Sequence, residues 1–163
     1  LNRPTGVIAN INYDLVESER QQKRESINFD PPGFINNQKV VINDEGYTYR
    51  GFFYNRSHLL ADSLGGEAIP QNMVTGTRMQ NVGMRNKGGM AFTETQARDY
   101  FKNPTQNTML YEAIPIYNGN ELVPRFVIVN VKTSDRAIDE QVVVKNTAAG
   151  FSIDYSTGNW EQN

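Results

Sequence analysis

A β-hairpin near the middle of the chain constrains its fold more than any other segment. Residues 40–43 and 47–54 are strand-like, and an Asp-Glu-Gly turn signal at residues 44–46 separates them. The second strand delivers the chain to Arg56 and to His58, which is the only histidine of the protein. A chain that folds around this hairpin must therefore place all of its imidazole chemistry at the end of one strand.

Strand-like segments and turn signals continue through the rest of the chain. Further strands are predicted over residues 6–12, 72–77, 109–117, 122–131, 141–145 and 151–155. Helices are predicted over residues 78–83 and from a capping box at Thr93 and Gln96 to near Asn103, while residues 17–26 read as a solvated helix or loop. This pattern predicts an α+β fold with one central antiparallel sheet and a few helices packed on it.

Composition limits the classes of protein to which the chain can belong. Its 163 residues predict a single domain over residues 1–163. It has no cysteine, which excludes disulfides, thiolate catalysis and cysteine-ligated zinc. No run approaches the roughly 18 apolar residues of a membrane span, so no membrane partner is expected. The first residues do not form a signal peptide, and a processed secreted protein would begin in the same way.

The charge of the chain is unevenly distributed. A net charge of -2 does not favour tight sequestration of nucleic acid, but an enzyme that releases a polyanionic product tolerates it if its cleft is locally basic. Residues 68–92 contain no acid, and Arg78, Arg85 and Lys87 lie in this stretch. We expect these cations to bind or support substrate, and an ordinary solvated face is the alternative.

His58 is the candidate general base, because an unperturbed imidazole titrates near pH ~6.5. Hydrolysis of a phosphodiester also needs a cation to neutralise the charge that gathers on the phosphoryl oxygens. A hard cation such as Mg²⁺ prefers oxygen ligands and keeps several waters. Asn81 or Asn72 can supply a neutral amide oxygen, and the planar guanidinium of Arg56 can hold phosphate oxygens.

Glu94 and Arg98 form a second candidate pair. Their i,i+4 spacing places both side chains on one face of a helix. Glu94 can accept hydrogen bonds from metal-bound waters, and Arg98 can reach a phosphate. A surface ion pair that contributes roughly 0.3–0.5 kcal/mol is the alternative. His58 could instead be a structural histidine, and Asn72 and Asn81 could be ordinary turn or cap residues. The functional interpretation therefore depends on the order and spacing of all these candidate residues together.

This ordered set resembles the DNA/RNA non-specific endonucleases, the ββα-metal nucleases whose signature is Asp-Arg-Gly-His. The resemblance is carried by residues 55–58, Asn72, Asn81, Glu94 and Arg98. Residues 56–66, 72–78 and 80–83 are similar to the secreted streptococcal DNases, the streptodornases, as are residues 2–5 and 153–158. The resemblance implies a ββα-metal finger as the active site.

The resemblance also implies a role for each matched residue. His58 matches the general base, Asn81 the one direct protein ligand of a divalent metal, and Arg56 the signature arginine near the phosphate. Asn72 matches a supporting asparagine. The remaining matches, Glu94 and Arg98, imply a glutamate that holds metal-bound water and an arginine that stabilises the transition state.

The chain departs from the signature at two positions. Asn55 stands where the family has aspartate, and Ser57 stands where it has glycine. An aspartate would add a negative charge near the site, and Asn55 does not. Neither change removes the base or the metal ligand, so activity is expected.

Residues and resemblance together predict a secreted, monomeric, Mg²⁺-dependent endonuclease that cleaves DNA without sequence preference and leaves 5′-phosphate ends. Mn²⁺ and Ca²⁺ are alternative metals, and RNA is an alternative substrate. Two other functions stay open: a catalytically silent nucleic-acid-binding module and an intercellular toxin nuclease domain. Cleavage assays separate the first from an enzyme, and a neighbouring inhibitor gene would favour the second.

Overall fold

The computed structural model describes residues 2–84 and 88–163. Its strands are β1 (Val7–Ile11), β2 (Lys39–Asp44), β3 (Tyr47–Phe52), β4 (Tyr54–His58), β5 (Met73–Thr77), β6 (Met109–Ile116), β7 (Phe126–Thr133), β8 (Asp139–Lys145), β9 (Phe151–Ile153) and β10 (Trp160–Gln162). Its helices are α1 (Tyr13–Arg20), α2 (Arg78–Val82) and α3 (Gly89–Tyr100), with short 3-10 helices at Asp62–Leu64 and Pro70–Asn72. The predicted α+β class is confirmed. No helix among the described residues has the length and apolar character that a bilayer crossing requires.

The largest sheet contains four antiparallel strands in the order β1-β6-β7-β8. Side chains of β6 and β7 alternate between buried and accessible positions, as expected for a sheet with one covered face. Tyr111 and Val129 are fully buried on the covered face, where they join Met90 and Ala97 of α3 in one hydrophobic core. This packing fixes α3 on the sheet and thereby fixes the direction of its polar side chains.

The remaining strands form three separate two-stranded sheets, β2-β3, β4-β5 and β9-β10. The predicted central antiparallel sheet is the four-stranded one; the hairpin strands do not join it, and the strand predicted over residues 47–54 is broken in two. Phe53 explains the break, because its buried ring stacks on Trp160 with centroids 4.2 Å apart. The predicted strand over residues 47–54 consequently ends at Phe52, and β4 begins afresh at Tyr54.

The start of α3 also differs from its prediction. The helix begins at Gly89, so Thr93 lies inside the helix and does not cap it. The Thr93 hydroxyl donates to the carbonyl of Met90 at 3.3 Å and lies 2.7 Å from the Tyr111 hydroxyl. A buried tertiary hydrogen bond therefore accounts for this threonine, and the capping-box interpretation was wrong.

Strands β4 and β5 and helix α2 form the predicted ββα unit. The two strands pair antiparallel, with His58 opposite Met73. Thr77 ends β5 and caps α2, because its side chain accepts a hydrogen bond from the Gln80 amide at 3.1 Å. Helix α2 thus begins directly after β5, which brings Asn81 back beside β4.

Candidate active site

A cleft of about 370 Å³ lies where the end of β4 meets α2, α3 and the loop after α1. Its lining residues are Arg24, His58, Ala61, Asp62, Ser63, Asn81, Val82, Ala91, Glu94 and Arg98. Several residues singled out from the sequence are therefore brought together, although they come from separate elements. The predicted candidates in the lining are His58, Asn81, Glu94 and Arg98.

His58 is the last residue of β4 and is almost fully buried. Its Nε2 atom has no hydrogen-bond partner among the described residues. Burial, followed by the positive charge of Arg24, lowers the pKa of His58 below 6.5, and Asp62 and Glu25 act in the opposite direction. The imidazole is therefore neutral at pH 7 and can accept a proton.

Asn81 lies on α2 with its side-chain amide held at both ends. Its Nδ2 donates to Oδ1 of Asn55 at 3.1 Å, and its Oδ1 accepts a hydrogen bond from the Ser57 hydroxyl at 3.1 Å. Asn55 and Ser57 are the two departures from the family signature. A carbonyl oxygen has two lone pairs, so Oδ1 of Asn81 can accept from Ser57 and still bind a cation.

Glu94 and Arg98 lie one turn apart on α3 and both face the cleft. Burial raises the pKa of Glu94 to about 7, although the positive charges of Arg98 and Arg24 lower it in part. The Arg98 guanidinium donates to the hydroxyl of Ser63 at 3.0 Å and to that of Thr95 at 3.1 Å. These bonds fix the direction of the cation beside the carboxyl group.

Asn72 supports the segment that follows His58 and does not line the cleft. Its Oδ1 accepts from the Leu60 amide at 2.8 Å, and its Nδ2 donates to the carbonyls of Leu60 and Glu67, each at 2.9 Å. Because both ends of this buried amide bind the backbone, Asn81 is the better candidate for a metal ligand.

Arg56 is exposed and lies outside the lining of the cleft. Its Nη2 forms a salt bridge of 2.6 Å with Asp30, and its Nε donates to the carbonyl of Phe29 at 3.0 Å. Its guanidinium also lies over the ring of Phe34, 4.6 Å from the centroid. These contacts tie β4 to the loop that follows α1.

Of the three cations predicted to support substrate, Arg78 belongs to the described residues. Arg78 lies over the ring of Tyr49, 5.3 Å from its centroid, and is absent from the cleft lining. Arg85 and Lys87 lie outside the described residues.

Arg24 and Ser63 are cleft residues that sequence reasoning missed. Arg24 belongs to the polar stretch interpreted as solvated, and its spacing gives no sign of a site. The loop is held over the cleft at two points, by the Arg56–Asp30 ion pair and by Glu25, whose carboxylate accepts from the Ala68 amide at 2.9 Å. Only these long-range contacts reveal Arg24 as a cleft cation.

The cleft fits a hard divalent cation better than a thiolate- or histidine-rich centre. Within residues 2–84 and 88–163, no group of three or more His, Cys, Asp or Glu side chains could hold a metal. A cation that keeps most of its waters needs few protein ligands, and the Asn81 carbonyl is an oxygen donor of that kind. Glu94 is a buried acid that gains an electrostatic partner when a cation enters.

Comparison with known proteins places the chain among nucleases. A model of the family described as DNA/RNA non-specific endonuclease matches residues 1–135. A protein named Deoxyribonuclease from Streptococcus dysgalactiae subsp. equisimilis is 45% identical over 124 residues, which are 76% of this chain. The chain covers 38% of the length of that relative.

Solved structures of streptococcal nucleases share the fold. The Sda1 nuclease with a bound zinc ion matches with a TM-score of 0.90 and 34% identity, over 99% of this chain and 78% of that one. NucA from Streptococcus agalactiae with a bound magnesium ion matches with a TM-score of 0.80 and 26% identity, over 99% of this chain and 74% of that one.

Proposed function

The chain belongs to the DNA/RNA non-specific endonuclease family, and we propose that it is a metal-dependent endonuclease that hydrolyses the phosphodiester bonds of DNA. One observation carries the proposal. The imidazole of His58, the amide of Asn81 that is held at both ends, and the carboxyl of Glu94 line the same cleft.

His58 acts as the general base. Its neutral imidazole takes a proton from the water that attacks phosphorus in line, opposite the departing 3′-oxygen. Cleavage on that side of phosphorus leaves the phosphate on the 5′ end. Burial supports this role because it lowers the pKa of His58 and so favours the neutral imidazole.

Asn81 would hold the divalent cation directly, and Glu94 would accept hydrogen bonds from its waters. When bound, such a cation neutralises charge on the phosphoryl and leaving oxygens. We propose Mg²⁺, with Mn²⁺ and Ca²⁺ as alternatives. The zinc reported for Sda1 and the magnesium reported for NucA support a divalent ion in this fold without selecting one.

Arg98 and Arg24 supply positive charge to the cleft lining. The bond from Arg98 to Ser63 holds the guanidinium where a phosphate oxygen can replace part of its solvation. Two cations in the cleft lining can stabilise the extra charge of the transition state. Asn72 contributes indirectly, by holding the backbone between His58 and the cleft wall.

Further properties follow from the family resemblance. We propose that residues 1–163 form one catalytic domain, that the enzyme acts as a monomer outside the cell, and that it accepts RNA as well as DNA. We propose cleavage without sequence preference on the same ground.

Plasmid digestion tests the proposal. Wild type should convert supercoiled DNA to nicked and linear forms with Mg²⁺, and EDTA should stop the reaction. His58→Ala and Asn81→Ala should each lose at least about a hundredfold in rate. Ser152→Ala, an exposed serine on β9, is the matched control. Binding without cleavage by wild type in any divalent metal would instead identify a silent binding module.

A further inference from the structure

A second concave surface lies away from the cleft, between two hairpins. It has a volume of about 790 Å³ and lies between the β2-β3 hairpin and the β9-β10 hairpin. We call it the hairpin groove and define it by Gln38, Lys39, Arg50, Phe151, Trp160 and Gln162, which are among its lining residues. None of them lines the catalytic cleft.

The hairpin groove is positively charged although the protein is acidic overall. Lys39 and Arg50 are exposed, and neither forms an ion pair with a described residue. No acidic side chain is found in the described lining. Strand alternation explains this, because Trp160 and Gln162 share one face of β10 and Glu161 takes the other. A second hollow at the β9-β10 hairpin is lined by Asp154 and Glu161 instead. The two hollows at this hairpin therefore carry charges of opposite sign.

Trp160 offers an aromatic surface in this basic setting. One face of its indole is covered by Phe53, at 4.2 Å between centroids and 13° between planes. Phe151 meets it edge-on at 5.7 Å. The indole Nε1 donates to the carbonyl of Asn36 at 3.1 Å, which fixes the ring in its plane. The ring is thus held rigidly, and Trp160 is partly exposed and is one of the lining residues of the hairpin groove.

We propose that the hairpin groove binds a single strand of nucleic acid, with phosphates at Lys39 and Arg50 and an unpaired base stacked on Trp160. Cations beside a fixed aromatic ring are the combination that binds unpaired strands without sequence preference. The proposal deepens the nuclease function and rests on it, since the groove would hold a distal part of the same substrate.

The distance between groove and cleft suits that role. Gly51 in the groove lining precedes His58 by seven positions, so their Cα atoms are at most ~25 Å apart. A strand of several nucleotides is long enough to bridge even this upper limit. Occupancy of the groove should therefore lower KM for long substrates and leave dinucleotide cleavage unchanged.

The chain provides its own probe, because Trp160 is its only tryptophan. We would titrate the wild-type protein in EDTA with an oligothymidylate and follow indole fluorescence, which base stacking quenches. Saturable quenching is expected, together with an apparent affinity that falls as salt rises. Lys39→Gln/Arg50→Gln should weaken the affinity about tenfold, since two phosphate contacts are lost. Lys102→Gln/Arg136→Gln, with the same change of charge at exposed sites elsewhere, should not.

Two outcomes would overturn the proposal: no quenching of Trp160, or equal affinity of the groove and control variants. Because this titration needs no cleavage, quenching in a protein that fails to digest plasmid would reject only the nuclease function. Digestion without quenching would reject only the groove. Quenching by an unstructured acidic peptide but not by oligothymidylate would assign the groove to a protein ligand and would also overturn the proposal.

Discussion

Ser57 donates a hydrogen bond from its hydroxyl to Oδ1 of Asn81, at 3.1 Å, so the proposed metal ligand is oriented by a residue of the neighbouring strand. The family signature has glycine at this position, which can form no such bond. In this chain the serine therefore adds a fixed orientation to the one amide oxygen that the proposed mechanism needs.

Ser57→Ala should weaken metal binding more than catalysis at saturating metal. Loss of a residue that orients a metal ligand typically costs about 10–100-fold in affinity, and we expect the lower end because Asn55 still holds the amide nitrogen. Calorimetric titration with Mn²⁺ would measure the dissociation constant. Ser152→Ala is the control on an exposed strand, and an unchanged constant in Ser57→Ala would contradict the orienting role.

Asn55→Asp should retain metal affinity, and Asn55→Ala should lose it. Oδ1 of Asn55 accepts from Nδ2 of Asn81, and a carboxylate oxygen accepts the same bond with the added strength of its charge. The natural Asn55 thus keeps the side-chain amide of Asn81 oriented without adding the negative charge of an aspartate. Metal titration of the two variants compares them directly, and equal losses would mean that the bond is not what Asn55 contributes.

Arg24→Gln should move the acidic limb of the pH–rate profile to higher pH. His58 must be neutral to act as a base, so kcat/KM falls as pH drops through its pKa. Arg24 lowers that pKa and also lowers the pKa of Glu94, and removing its charge raises both. The profile would be measured from pH 5 to 9. Arg24→Lys should keep the limb in place, whereas an unshifted limb in Arg24→Gln would contradict the electrostatic effect.

Glu94→Gln should stabilise the metal-free protein at pH 8. The carboxyl has a pKa of about 7 when folded and near 4.5 when unfolded, so its contribution favours the fold below pH 4.5 and is lost as pH rises through 7. Glutamine removes the buried charge, and the gain at pH 8 should be on the order of 1–2 kcal/mol after allowance for partial exposure. Urea unfolding at pH 4 and pH 8 measures it. Glu19→Gln on exposed α1 is the control, and equal stability at both pH values would contradict the prediction.

The sequence predicts the local parts of the site better than their assembly. The strand over residues 72–77 and the helix from Arg78 follow from short-range signals, and the family resemblance implies that they belong to a ββα finger. Arg24 could not be found in this way, because it reaches the cleft only through tertiary contacts of its loop. The division into several sheets was missed for the same reason, since Phe53 breaks the hairpin strand through its stacking on Trp160, more than one hundred residues away.

Arg56 and Asp30 should act as one unit that holds the loop bearing Arg24. Their salt bridge of 2.6 Å is exposed and would by itself add only about 0–1 kcal/mol to stability. Its effect on activity should be larger, because the loop carries a cleft cation. We expect Asp30→Asn and Arg56→Gln each to lower kcat/KM about fivefold to tenfold, and the double variant to be little worse than either, since both remove the same anchor.

A double-mutant cycle on plasmid cleavage measures this coupling. Glu17→Gln, which removes the exposed partner of the Arg20 ion pair on α1, is the control for losing a surface salt bridge. If Arg56 instead contacts the phosphate directly, Arg56→Gln should be far more damaging than Asp30→Asn, and the effects of the two substitutions should add. That outcome would return Arg56 to the role that the family resemblance implies and would remove the loop anchor as its main contribution.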